Sequence, residues 1–213
     1  MSLSAVRIID IARSHLTMAF ANWRGGVTSA ECRSYNQTDG VLLTFDDFAE
    51  PVVIERFLAI LSDKRVTGAF FIVGNWATEN STSVAKIRAA GHIVGNHSTT
   101  HPHLRGLSDI EILKEIKGGV ASSLLRPPYG ECDSRVRKIA ANLGYKLALW
   151  SIDSEDWKGL SADSITDRVV RELHPGACVL MHLNGQNTLD ALPGLIDAIA
   201  AKGYRFWTGR SIG

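Results

Sequence analysis

VLLTFDDFAEPVVIERFLAILSDKRVTGAFFIV, residues 41–73, reads as a strand, a helix and a second strand. VLLTF (41–45) is a short apolar run that ends in two acids, Asp46 and Asp47. PVVIERFLAILSDK (51–64) has helical period, with Pro51 suited to a first helical turn, where its missing N–H costs nothing. GAFFIV (68–73) is β-rich. The same rhythm continues. Strands are predicted at 92–95, 124–126, 146–152, 177–183 and 204–209, and helices at 77–90, 108–117, 134–144, 161–174 and 188–203. Ser108 with Glu111 forms a capping-box pattern, and Gly144 suits a helix end. About seven apolar strands alternating with about six helices imply parallel strands joined by right-handed crossovers. Periodicity alone leaves a β/α barrel and an open doubly wound sheet both standing.

Upstream, residues 1–40 read as an N-terminal arm, with an amphipathic helix carrying Val6, Ile9, Ile11 and Leu16 followed by a Gly/Ser-rich loop. Residues 41–213 form the main domain. Arg7, Asp10 and Arg13 interrupt the apolar positions at the start, so no signal-peptide core is visible. The sequence as it stands points to the cytoplasm, and to the cell envelope or exterior if a leader has been cut away. No run approaches the ~18 apolar residues that span a membrane. Lys and Arg number 23 against 22 Asp and Glu, a net charge of +1. Near-neutrality with no basic run argues against nucleic acid, whose phosphates need a basic face. No protein partner is implied. Cys32, Cys132 and Cys178 are an odd set with no CxxC pair, and are expected as thiols.

In β/α folds, chemistry sits at the C-terminal strand ends. Those ends carry Asp46-Asp47, Asn96-His97 with His101, Arg126, Asp153 with Asp156-Trp157, and His182. Any one of these has an ordinary explanation as a cap or a satisfied polar residue; five on one face do not. His97 and His101, at i and i+4, are expected on one face of a helical turn and close enough to share a metal. A carboxylate from a neighbouring strand end would complete a set suited to Zn²⁺, though Fe²⁺ uses similar sets. One of the paired acids can bind the ion, leaving the other as a base toward water. Arg126 is the cation to hold that base ionised. Asp156 and His182 make a carboxylate–imidazole pair, which raises the imidazole pKa and suits a general acid.

Five motifs in order, TFDD (44–47), HSTTH (97–101), RPPYG (126–130), SIDSEDW (151–157) and LMH (180–182), resemble the polysaccharide deacetylase family, also known as the NodB-homology domain or carbohydrate esterase family 4. The resemblance implies a distorted (β/α)7 barrel that hydrolyses N-acetyl groups of an N-acetylglucosamine-containing oligo- or polysaccharide such as chitin or peptidoglycan. It implies Asp46 as base, with Asp47, His97 and His101 as ligands of Zn²⁺ or another divalent ion such as Co²⁺. Arg126 would tether the base, and the Tyr129 backbone N–H would stabilise the oxyanion. His182, tuned by Asp156, would be the general acid, and Trp157 and Leu180 would line the pocket for the acetyl methyl. The same machinery would serve an O-deacetylase such as an acetylxylan esterase. A non-catalytic glycan-binding domain would have lost a ligand or the base, and a two-metal phosphoesterase would need more ligands. One departure stands out. Phe48 replaces the glycine usual after TFDD, either as an aromatic platform for a sugar or packed into the body.

Overall fold

The computed structural model describes residues 39–208. The N-terminal helix expected from Val6 to Leu16 lies outside them. A single seven-stranded parallel sheet holds β1 (Leu42–Asp47), β2 (Gly68–Ile72), β3 (Ile93–Asn96), β4 (Leu124–Leu125), β5 (Lys146–Leu147), β6 (Ile152–Asp153) and β7 (Cys178–His182), in the order β5-β4-β3-β2-β1-β7-β6. Around it lie α1 (Pro51–Asp63), α2 (Gly74–Glu79), α3 (Ser81–Ala89), α4 (Asp109–Lys117), α5 (Ser134–Asn142), α6 (Ala162–Glu172) and α7 (Thr188–Ala201). The Ser108–Glu111 capping box forms as the sequence predicts.

β5 and β6 are the two outer strands of that order, yet only residues 148–151 join them. A flat sheet of this size would hold its edges about 29 Å apart, whereas five residue steps reach about 18 Å. The sheet therefore curls on itself, and the (β/α)7 barrel expected from the motifs is present in distorted form. The expected strand 146–152 is what closes it. Lys146 and Ala148 donate to the β4 side, at Ser123 and Leu125, before Ser151 donates to Cys178 of β7. One stretch of chain, bent at Ser151, is thus shared between two edges and counts as two short strands. The last expected strand, 204–209, reduces to one bridge, Phe206 to Val41. The helix expected over 77–90 begins earlier and breaks at Asn80 (φ −121°, ψ 41°), whose side-chain amide caps the carbonyl of Trp76.

Strand alternation sorts side chains into two layers. Leu42, Ala69, Phe71, Leu124, Ala148, Cys178 and Trp207 pack inside the barrel. Phe45, Phe57 and Phe70 form an aromatic contact between sheet and helix, and Leu125 packs with Ile112, Ile116, Val136 and Ala140 under α4 and α5. The inward series on β1 is Leu42, Thr44, Asp46, and on β7 Cys178, Leu180, His182, so apolar packing at one end becomes chemistry at the other. Cys178 is a buried thiol outside any disulfide. Cys132 is disulfide-bonded, which corrects the expectation of a thiol there. Among the described residues no helix is long and apolar enough to cross a membrane.

Candidate active site

Asp46 and Asp47 are adjacent on β1, so a regular strand would send their carboxylates to opposite faces. The backbone resolves this. Asp47 takes φ 77°, a left-handed conformation rare for a side chain with a Cβ. That turn brings the Asp47 carboxylate within 3.6 Å of His97 Nε2 and 3.3 Å of His101 Nε2. Asp46 keeps the inward direction of the strand, with Oδ2 3.6 Å from the same His97 nitrogen.

The two histidines meet differently from the helical turn predicted. Residues 97–101 are a loop with Ser98 (φ 62°) and His101 (φ 61°) in left-handed conformations. Asn96 and Glu115 pin that loop. Asn96 accepts from the Ser98 N–H at 2.8 Å, and Glu115 of α4 accepts from the N–H groups of Thr99 and Thr100 at 3.1 and 2.9 Å. The imidazoles finish with their Nε2 atoms 3.2 Å apart. His97 Nδ1–H donates to the Arg126 carbonyl at 2.7 Å, so the neutral ring keeps its lone pair on Nε2, facing Asp47.

Asp47, His97 and His101 are buried, and their donor atoms cluster tightly enough to hold one ion. Asp47 Oδ1 is buried without a hydrogen-bond partner, a costly arrangement for a carboxylate unless something compensates it. Its separations from the imidazole nitrogens match the edge of about 3.3 Å expected between ligands bonded at ~2.0–2.1 Å in a tetrahedron. The donor set of two nitrogens and one oxygen therefore fits a divalent cation such as Zn²⁺. Burial alone would raise the Asp47 carboxyl; the His101 and His97 imidazoles outweigh it and hold the group well below the usual carboxylate range.

Arg126, fully buried just past β4, spans the barrel interior. Nη1 donates to Asp46 Oδ1 at 2.7 Å and to Thr44 Oγ1 at 2.8 Å, while Nε and Nη2 reach the carbonyls of Ala148 and Leu149. The guanidinium lies 4.0 Å over the Phe71 ring. Gly95 makes that stack possible, because a Cβ there would come within 2.3 Å of the ring.

Beside β1, β7 sets His182 in register with Asp46. His182 Nδ1 pairs with Asp156 Oδ1 at 2.7 Å, and its backbone N–H donates to Oδ2 at 2.7 Å. Burial alone would lower the His182 pKa; the Asp156 carboxylate beside it prevails and raises it to about 10. Asp156 responds in the opposite sense: burial opposes its charge, but His182 holds it below the ordinary value. Tyr129 sits at the rim with φ 59°, its ring edge-on to His101 at 4.7 Å and stacked on His103 at 3.9 Å. Leu180 is buried on β7, one inward position below His182, and Trp157 is half-buried after Asp156. Phe48 is 8% exposed and packs into the body, which leaves no open ring face for a sugar. The sequence marks Asn96 only as a strand-end residue and Thr44 only as part of TFDD, and gives no sign of Glu115; contacts across the chain reveal what the three side chains do.

The sequence profile described as polysaccharide deacetylase matches residues 34–148. The chain belongs to the polysaccharide deacetylase family. It is 34% identical over 187 residues to the peptidoglycan-N-acetylglucosamine deacetylase of Bacillus cereus, covering 82% of this chain and 68% of that protein. A family 4 carbohydrate esterase from Streptomyces lividans, solved in complex with acetate, superimposes with a TM-score of 0.74 at 33% identity, covering 81% of this chain and 93% of that one. A family 4 pseudoenzyme from Bacillus anthracis superimposes with a TM-score of 0.75 at 32% identity, covering 80% and 64%. The polysaccharide deacetylase fold is thus shared by proteins with and without catalysis, and the side chains of the site have to decide between them.

Proposed function

We propose that this chain is a metal-dependent deacetylase that hydrolyses N-acetyl groups of an N-acetylglucosamine-containing oligo- or polysaccharide and releases acetate. The observation that carries the reading is the completeness of the set. A tethered carboxylate, Asp46, stands beside a cation-fitting trio, Asp47, His97 and His101, and next to a charged His182–Asp156 pair. A binding domain without catalysis has no use for all three.

Asp47, His97 and His101 would hold a divalent ion, which would supply Lewis acidity toward a water and the acetyl carbonyl. Asp46 accepts the proton of the attacking water while Arg126 holds its carboxylate in place. The Tyr129 N–H, set at the rim by a left-handed backbone, steadies the charge that develops on the carbonyl oxygen. His182 then gives its Nε2 proton to the departing amine nitrogen as the C–N bond breaks, and Asp156 balances the imidazolium. Trp157 and Leu180 enclose the acetyl methyl. The products are acetate and a free amine. The disulfide at Cys132 supports a site of action in an oxidising compartment, such as a cell envelope.

Acetate release from chitooligosaccharides, peptidoglycan fragments and acetylxylan, with metal content measured beforehand, tests the proposal. Release from the first two is expected; release from acetylxylan alone would replace it with O-deacetylation. Asp46→Asn should keep the metal and lose about 100-fold or more in kcat. Full activity in that variant would refute Asp46 as the base.

A further inference from the structure

The Asp156–His182 pair is only as good as the orientation of its carboxylate, and that orientation comes from outside the motifs. Asp156 is 1% exposed and caught between two segments. Oδ1 faces His182 Nδ1, while Oδ2 accepts from the His182 backbone N–H and from the hydroxyl of Thr188. Thr188, fully buried, is the first residue of α7. An ionised carboxylate can only accept, so the single hydroxyl proton of Thr188 is committed to it. Between them the chain passes through Gly185, whose N–H donates to the His182 carbonyl at 3.3 Å and whose carbonyl accepts from the Thr188 N–H at 3.4 Å. A Cβ on Gly185 would lie 2.1 Å from Thr188 Oγ1 and 2.8 Å from Asp156 Oδ2. Real side chains do not approach so closely, so the tight turn 182–188 requires glycine here for the hydroxyl and the carboxylate to meet.

We infer that Thr188 is a positioning residue for the proton donor: its buried hydroxyl, admitted by the bare Cα of Gly185, fixes the Asp156 carboxylate with Oδ1 on His182. With Oδ2 held by two donors, rotation about the Asp156 side chain would break two hydrogen bonds and leave buried oxygen unsatisfied. The imidazole is therefore held at one angle with Nε2 toward the reacting nitrogen. The kinetic consequence rests on the deacetylase reading; the orientation itself does not.

The test compares Thr188→Val, which keeps the shape and removes the hydroxyl, with Thr188→Ser, which keeps the hydroxyl, and with Gly185→Ala. Thr188→Val and Gly185→Ala should lower kcat by ~10–100-fold with KM within about two-fold, and Thr188→Ser should recover most of it. In an Asp156→Asn background Thr188→Val should add nothing further, because the group it positions is already disabled. A readout without substrate accompanies these: the Nδ1–H proton of His182 in ¹⁵N-histidine-labelled enzyme. Its strongly downfield resonance should be kept in Thr188→Ser and should move upfield in Thr188→Val. An unchanged resonance or an unchanged kcat in Thr188→Val overturns the inference. An equal loss in the Asp156→Asn background overturns it too, by making the effect one of general folding. If the wild-type chain releases acetate from no glycan, the proposed function fails, while the resonance still decides the role of Thr188.

Discussion

The carbonyl of Arg126 accepts the Nδ1–H of His97 at 2.7 Å, while its guanidinium grips Asp46 at the same distance. One residue therefore orients a candidate metal ligand through its main chain and the candidate base through its side chain. The two functions can be separated by substitution. Arg126→Lys leaves the carbonyl in place but cannot reproduce a planar fork that reaches Asp46, Thr44 and two carbonyls at once. Zinc affinity should stay within about three-fold by calorimetry, whereas kcat should fall about 100-fold. Arg126→Ala leaves Asp46 buried without its cation and should cost about 3–5 kcal/mol in denaturant unfolding.

The His182–Asp156 pair is expected to set the alkaline behaviour. A general acid works while protonated, and His182 keeps its proton up to about 10 because Asp156 outweighs the effect of burial. In Asp156→Asn burial remains and the carboxylate charge is gone, so the imidazole loses its proton at lower pH. The alkaline limb of the pH–kcat profile should move toward neutrality. Stability follows the same sign. A folded-state pKa raised above the unfolded value near 6.5 contributes stability that is complete below that value and lost as pH rises through about 10. Parallel denaturant curves should therefore show the wild type's advantage over Asp156→Asn shrinking across that window. An unmoved limb would remove Asp156 from the tuning role.

Much of this was legible beforehand, for reasons that differ residue by residue. Asp46, Arg126, Asp156 and His182 were readable because a parallel strand end is an unambiguous address in the sequence. The parity of β1 predicted that Asp46 and Asp47 would diverge, and only the left-handed turn at Asp47 reunites them; φ is not written in residue types when glycine is absent. The HSTTH spacing suggests a helical turn because i and i+4 is also a helical period, whereas the loop reaches the same result through Ser98, His101 and the distant Glu115. Residues 146–152 look like one strand because nothing in KLALWSI marks the bend at Ser151; that the two halves pair with opposite edges is a property of barrel closure, not of local pattern.

Removal of metal should separate binding from fold. Asp47 Oδ1 has no hydrogen-bond partner in the protein, so a cation is the natural compensation. Chelation should abolish acetate release, and Zn²⁺ or Co²⁺ should restore it. Independently of activity, Zn²⁺ at 100 times its Kd should stabilise the fold by about 2.7 kcal/mol, read as a rise in Tm. His97→Ala and His101→Ala should lose that rise. A chelated enzyme with full activity would exclude the metal from the mechanism.

Cys132 is disulfide-bonded while Cys178 is a thiol outside any disulfide, buried beside Arg126. Of the three cysteines in the chain, no more than two should then react with a thiol reagent after unfolding without reductant, and all three after reduction. Three reactive thiols before reduction would mean that the disulfide is absent, and with it the argument for an oxidising compartment.

Phe48 offers a last choice between surface and core. At 8% exposure it is packed directly after the paired acids, where a sugar platform would need an open ring face. Removing a buried phenyl group loses its transfer free energy and leaves a cavity, so Phe48→Ala should cost about 3–5 kcal/mol of stability. At a temperature where the variant remains folded, KM for chitooligosaccharides should stay within about two-fold, because no substrate contact has been lost. The platform reading expects the reverse, a nearly unchanged unfolding midpoint and a KM raised by about ten-fold or more, since an aromatic stacking contact is worth on the order of 1 kcal/mol or above. Denaturant unfolding and initial rates on the same preparation distinguish the two.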